Sequence, residues 1–252
     1  FEYDMDALLV QIAARSENFS DFGGTFNYKA AARYSLGNLV SFRGSYSTGF
    51  RAPTPGQSNY TGVVTSFDGP TGKQVQEGTV RSTNPLAVAL GGKKLGPEKA
   101  VNMSLGFTSN PMSNLNLTFD YYTIDMEDKI LKSRSLAVDG NPYFKKLAFY
   151  TNALDTKTTG YDLVAVYKMG NTNVGLALNH NETEVVKQKQ VNGIDPVSEE
   201  NVMNLEENLP KDRMILTVDH KIRTNMTAMI RMNYYGESID ERSQKDKIDP
   251  IT

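Results

Sequence analysis

Arg51, Gln57, Asn59 and Tyr60 open a long stretch of Pro, Gly and polar residues, directly after a run of alternating bulky and polar side chains. A guanidinium in such a place can grip a carboxylate or catecholate through two parallel N–H bonds. A tyrosine beside it can stack on another ring or on the face of a sugar. The plainer role for Arg51, pairing with an acid on a neighbouring strand, carries more weight. Tyr143 and Phe144, with Phe149 and Tyr150 close behind, make a second aromatic group that either lines a binding mouth or packs its own segment. The candidate ligand-binding set is therefore Arg51, Gln57, Asn59, Tyr60, Tyr143 and Phe144.

Catalytic chemistry finds less support. His180 and His220 are the only histidines, and both fall in phase with the apolar side chains of their segments. That fits a structural imidazole better than a general base. Asp125, Glu127 and Asp128 form an acidic cluster suited to acid–base work or a calcium contact, but a solvated rim is the better reading. Residues 91–94, Gly-Gly-Lys-Lys, lack the preceding strand and the spacing of a phosphate loop. Cysteine is absent, which removes disulfides, thiolate metal sites and thiol nucleophiles. The expectation is no enzyme, no catalytic residue, no metal site and no cofactor.

The elements that would position these side chains alternate with period two. Leu8, Val10 and Ile12 oppose Gln11 and Arg15; Phe26, Tyr28 and Tyr34 oppose Asn27, Lys29 and Arg33. Val40, Phe42, Tyr46 and Phe50 oppose Arg43, Ser45, Ser47 and Arg51. The same pattern recurs over residues 101–108, 115–121, 174–179, 213–222 and 227–234, with a mixed run at 161–168. That makes roughly nine strands, each reaching the ~9–11 residues that cross a bilayer when tilted. Thirteen Tyr, eleven Phe and twenty Gly with no Trp agree with an all-β chain. The mean hydropathy of −0.44 looks water-soluble, yet half of every barrel strand faces a polar interior. No apolar run is long enough for a transmembrane helix. A net charge of -2 gives no reason to expect nucleic acid as a partner.

The connections sort strictly by length. Short turns at 37–38, 110–114, 170–172 and 223–225 alternate with long loops at about 51–97, 131–157 and 187–210. In an up-and-down antiparallel meander, alternate connections emerge at opposite ends. Outer-membrane barrels show this asymmetry, with short periplasmic turns and long extracellular loops. The faces opposite the apolar ones carry Asn, Ser, Thr, Gly, Arg and Asp, as a hydrated or filled lumen requires. Residues 1–252 thus read as one transmembrane β-barrel segment. Its first residues already read as strand, so a piece of something longer is expected. Within the loops, Asn84-Pro85 through Gly91 carries start and stop signals for a short helix. Asn141-Pro142 and the residues to Leu147 suggest a second, and the polar stretch from Ser198 to Asn208 is either helical or disordered.

Four stretches, taken together, resemble one family. The run "GSYSTGFRAP" stands at residues 44–53, "LGPEKAVNMSLGF" at 95–107, "FDYYTIDMEDKI" at 119–130 and "YTNALDTKTTGYDL" at 150–163. Their order and spacing are similar to those of TonB-dependent outer-membrane receptors over most of the chain, and "NYYGE" at 233–237 fits a late barrel strand. The resemblance implies a barrel of roughly 22 strands filled by a plug. It also implies energy supplied by a TonB-type protein acting on an N-terminal region, which, like the plug and the final strand, is expected to lie outside residues 1–252. The function expected from the resemblance is active import, in the bacterial outer membrane, of a scarce, bulky nutrient. A ferric siderophore comes first, with cobalamin, haem or an oligosaccharide as other cargoes. Outer-membrane lipid, with lipopolysaccharide bridged to the acidic rim, completes the expected partners. The alternatives are a soluble or surface β-sheet binding module, such as an adhesin or carbohydrate-binding sandwich, and a passive porin.

Overall fold

The computed structural model describes residues 2–5, 7–20, 22–67, 69–141, 143–239, 247–248 and 250. In chain order its elements begin with β1 (Glu2–Met5), β2 (Leu8–Phe19), β3 (Gly23–Leu36), β4 (Val40–Arg51), α1 (Pro55–Asn59), β5 (Gly62–Phe67) and β6 (Gln74–Thr79). Next come α2 (Pro85–Ala89), β7 (Glu98–Met112), β8 (Leu115–Lys132), β9 (Leu136–Ala137), β10 (Phe144–Ala148) and β11 (Tyr150–Met169). The last are β12 (Thr172–Gln188), α3 (Glu199–Glu207), β13 (Asp212–Arg223), β14 (Met226–Tyr235), β15 (Ser238–Ile239) and β16 (Lys247–Ile248).

Ten strands pair side by side in the order β1-β2-β3-β4-β7-β8-β11-β12-β13-β14. The extra strand relative to the alternation count is β1, which pairs antiparallel with β2. Register follows the alternation, because a one-residue slip would turn every apolar side chain to the wrong face. One rung runs Leu8, Tyr34, Phe42, Phe107, Phe119, Leu163, Leu178, Met214 and Tyr234 across nine strands. The next rung, on the opposite face, runs Leu9, Arg33, Arg43, Gly106, Asp120, Asp162, Asn179, Arg213 and Tyr235. An aromatic row therefore backs directly onto a charged one.

No second layer covers the apolar face among the described residues. Phe26, Leu105 and Ile230 keep 65%, 65% and 66% of their surface exposed. A water-soluble sheet must bury such a face against another layer; in a membrane barrel acyl chains do so. The two-layer sandwich alternative does not describe this chain. Buried residues gather instead in the loops and the strand ends that feed them. One cluster holds Val80, Ala87, Leu136, Leu147, Phe149 and Val191, and the other holds Ala153, Leu154 and Val197.

The loops carry their own architecture. A four-stranded sheet in the order β5-β6-β10-β9 joins the first long loop to the second, with β6 and β10 parallel. The short helix expected after Asn84 is α2, capped by the Asn84 side chain on the Leu86 N–H. The segment from Ser198 is helical: α3 is capped by Ser198 and ends at Asn208. The helix expected after Asn141 is a correction. Asn141 Oδ1 accepts from both Tyr143 and Phe144 N–H groups, at 2.9 Å each, and the chain then pairs with β6 as β10. An asparagine turn and a helix cap use the same side-chain acceptor, and the neighbouring strand decided between them. Strand β11 begins at Tyr150, so the ladder includes residues 150–157 that the pattern reads as loop.

Candidate functional site

The platform under the three long loops is a network of charged and amide side chains. Arg51 at the end of β4 faces Glu98 at the start of β7. Arg51 Nε and Nη2 donate to the two Glu98 carboxylate oxygens at 2.5 and 2.6 Å. Glu98 is 4% exposed and also accepts from the Ile130 N–H at 2.7 Å. A buried carboxylate needs such partners, and here they come from both ends of the first loop and the start of the second.

Asp128 continues the network. It is one of two described non-glycine residues with positive φ, at 60°, where the β8–β11 ladder shifts register. Its N–H donates to Asp155 Oδ1 at 3.0 Å, and Lys189 Nζ reaches Asp128 Oδ1 at 2.6 Å and Asp155 Oδ1 at 2.8 Å. Asn152 Nδ2 donates to the carbonyls of Asp128 and Gly96, while Asn152 Oδ1 accepts from the Gly96 N–H. Burial pulls the Lys189 ammonium toward neutrality, but its hydrogen bonds to Asp128 and Asp155 outweigh that and hold its pKa above the usual lysine value. The first two loops thus leave and return, and the third leaves, through one set: Arg51, Glu98, Asp128, Asn152, Asp155 and Lys189.

Below it, the inner face is polar and interlocked. Arg43 donates to Asp120 Oδ1 at 2.8 Å, to Thr108 Oγ1 at 2.9 Å, and through Nη2 to Asp120 Oδ2. Asn179 reaches Asp162 at 2.7 Å, and Asn181 reaches the Tyr122 hydroxyl at 2.9 Å. Glycine is required at two places for close approach. A Cβ on Gly106 would strike the Asp120 carboxylate, and one on Gly160 would strike the Tyr122 ring.

The sequence-read candidates fall into three groups. Arg51 is engaged with Glu98. Gln57 and Asn59 serve α1 itself: Gln57 and Thr54 exchange backbone-to-side-chain bonds in a capping box, and Asn59 Nδ2 donates to the Pro55 carbonyl. Phe144 packs against the loop core. Tyr60 and Tyr143 alone keep open rings, 53% and 70% exposed. The loop sheet separates them, with Tyr60 beside the Gly62–Thr79 end and Tyr143 hydrogen-bonded to Gln76 near the other. The network residues Glu98, Asn152, Asp155 and Lys189 were missed as a site. Their signal lay in the motif stretches at 95–107 and 150–163, which hold Gly96, Glu98, Asn152 and Asp155.

The histidines lie on the outer face, His180 stacked on Tyr161 at 5.1 Å and bonded to Asp212, and His220 bonded to Thr172. Neither is joined to a nucleophile and an orienting acid in the way a hydrolytic triad demands. Among the described residues no group of three or more His, Cys, Asp or Glu is arranged to hold a metal ion.

Comparison with solved structures returns outer-membrane receptors at low identity. The siderophore receptor PirA from Pseudomonas aeruginosa matches at 15% identity and a TM-score of 0.66, covering 92% of this chain and 37% of that one. The enterobactin-bound ferric enterobactin receptor PfeA of the same organism matches at 14% identity and 0.70, covering 98% and 34%. The FrpB iron transporter from Neisseria meningitidis matches at 14% and 0.64, covering 94% and 32%. At these identities the likeness is one of fold, and the chain spans about a third of each relative's length. Curated proteins give no significant sequence match. The family model described as "TonB dependent receptor-like, beta-barrel" matches residues 1–247. A one-layer meander with sorted loops, greasy outside and polar inside, together with that match, decides the question: the chain belongs to the TonB-dependent receptor β-barrel family of outer-membrane transporters, which are not enzymes.

Proposed function

We propose that this chain forms the loop-bearing part of an active importer that captures a scarce, bulky nutrient at the cell surface, with a ferric siderophore as cargo and TonB as the energy source. The carrying observation is the network from Arg51 to Lys189, which sets all three long loops on one rigid base above a polar inner wall. Such a base lets loops hold a ligand in one geometry while their tips vary. Tyr60 and Tyr143 then supply open ring faces for the ligand's aromatic groups, and Arg51 is a support for the loop rather than a direct contact. PirA is a siderophore receptor, PfeA a ferric enterobactin receptor and FrpB an iron transporter, which favours iron over cobalamin, haem or an oligosaccharide. The acidic outer rim, Asp125 and Glu127, lies where lipopolysaccharide would meet the wall.

The test is uptake of radio-iron complexed to a panel of siderophores by cells carrying the full-length receptor, with and without a functional TonB. Energy-dependent accumulation of one complex supports the reading. Uptake unaffected by loss of TonB would point to a passive pore, and growth responses to cobalamin, haem or oligosaccharide alone would replace the cargo.

A further inference from the structure

The chain holds a single Asn-Gly pair, Asn192-Gly193, at the tip of a hairpin in the third long loop. Val191 and Ile194 bridge it, each N–H donating to the other's carbonyl, at 2.9 and 3.0 Å. Asn192 and Gly193 take φ of +50° and +75° in succession. A two-residue type I′ hairpin turn demands that left-handed pair, and Asn-Gly is the dipeptide that supplies it best. Both residues are exposed, and a Cβ built on Gly193 would meet nothing within 4 Å. Among the described residues the Gly193 N–H has no acceptor, because the hairpin's two bonds belong to Val191 and Ile194.

That tip is seated on α2 of the first loop. Val191 is 9% exposed and belongs to the loop core with Ala87. It lies over Gly91, where a Cβ would come within 2.5 Å of Val191 Cγ1, so the bare glycine makes room for the tip. Asn192 Nδ2 donates to the Ala89 carbonyl at 3.2 Å. Ala89 ends α2, so this carbonyl is one that a helix leaves without an intrahelical donor. The side-chain amide of Asn192 is the polar clasp of the seat.

We infer that Asn192 is a site of spontaneous amide-to-acid conversion, and that this modification frees the third loop from the first. The turn selects the pair most open to the reaction: glycine puts no side chain beside the attacking nitrogen, and that nitrogen is solvated and uncommitted. The Gly193 N–H loses its proton to hydroxide, and the nitrogen attacks Asn192 Cγ. The Cγ–Nδ2 bond breaks, and the amide group leaves as ammonia after taking a proton from water. Water then opens the cyclic imide at either carbonyl, to an aspartyl or an isoaspartyl link, with no oxidant or reductant involved. Both products lose the Nδ2 donor. The aspartyl form sets a carboxylate oxygen against the Ala89 carbonyl oxygen with no proton between them, and a bond becomes a repulsion. The isoaspartyl form inserts a methylene into the main chain and takes Val191 and Ile194 out of register.

The test uses the full-length receptor in detergent, aged in neutral and in mildly alkaline buffer. Peptide mapping by mass spectrometry reads the acid forms at each asparagine, and hydrogen exchange reads the Val191 and Ile194 amides. Asn192 is expected to convert ahead of every other asparagine, and faster at alkaline pH. Exchange at both amides should then accelerate about fivefold, the scale of one lost hydrogen bond. Asn192→Asp should show that acceleration without ageing, and Asn192→Gln, which would have to close a larger ring, should stay unmodified. Cleavage between residues 187 and 211 should stay fast after return to neutral pH, whereas titration of Lys189 reverses. Earlier conversion of another asparagine, unchanged exchange in both the aged protein and Asn192→Asp, or cleavage that reverses fully at neutral pH would each overturn the proposal. Iron uptake is not a readout here, so failure leaves the transport reading standing.

Discussion

Arg51 and Glu98 are register partners at the outer end of the β4–β7 ladder, joined by two hydrogen bonds, with the carboxylate buried and the guanidinium half exposed. The asymmetry makes Glu98 the member that cannot be left alone. Arg51→Ala strands a buried carboxylate on the single Ile130 N–H and should cost about 1–3 kcal/mol, read as a lower unfolding temperature and faster exchange at Ile130. Arg51→Lys should recover only part, because an ammonium cannot form both parallel bonds.

Gly160→Ala and Gly106→Ala should each destabilise the barrel by about 1–3 kcal/mol, the usual cost of overpacking. For the first, Tyr122→Ala in the same chain should return part of the loss, since the ring is one obstacle and the His180 carbonyl, which stays, is the other. Thermal unfolding of the two single variants and the double variant checks the coupling.

Lys189 sets an alkaline limit on the third loop. Its folded pKa is raised, so its contribution is fully present below the ordinary lysine value of about 10.4 and disappears as pH rises through the higher folded value. Limited proteolysis between residues 187 and 211 should accelerate over that alkaline range. Lys189→Met should be cut readily at every pH and lose the dependence.

Tyr143 and Phe144 are neighbours with opposite duties. Tyr143→Ala should leave stability within about 0.5 kcal/mol and lower ligand capture. Phe144→Ala should loosen the loop sheet by about 1–2 kcal/mol, less than for a fully buried ring. Exchange rates on β6 and β10, measured beside binding of the iron complex, separate the two.

Alternation along each strand was legible because a β-strand exposes its two faces with period two, whatever its neighbours are. The Phe42 and Arg43 rungs follow from that period, and the sorting of short and long connections follows from turn chemistry at residues such as Gly170 and Asn171. Phe144 shows where such reading stops. Its segment carries an Asn signal that serves a helix or a turn equally well, and only the presence of β6 made it a strand. Glu98, Asn152 and Lys189 lie far apart along the chain, so their meeting has no local signature.

Periodicity and loop spacing in the amino-acid chain determined a single amphipathic meander with one elaborate end. The tertiary structure alone decided which loop residues are occupied as supports and which rings remain open. Those outcomes depend on long-range hydrogen bonds and close approaches between strands, and local side-chain order carries no record of them.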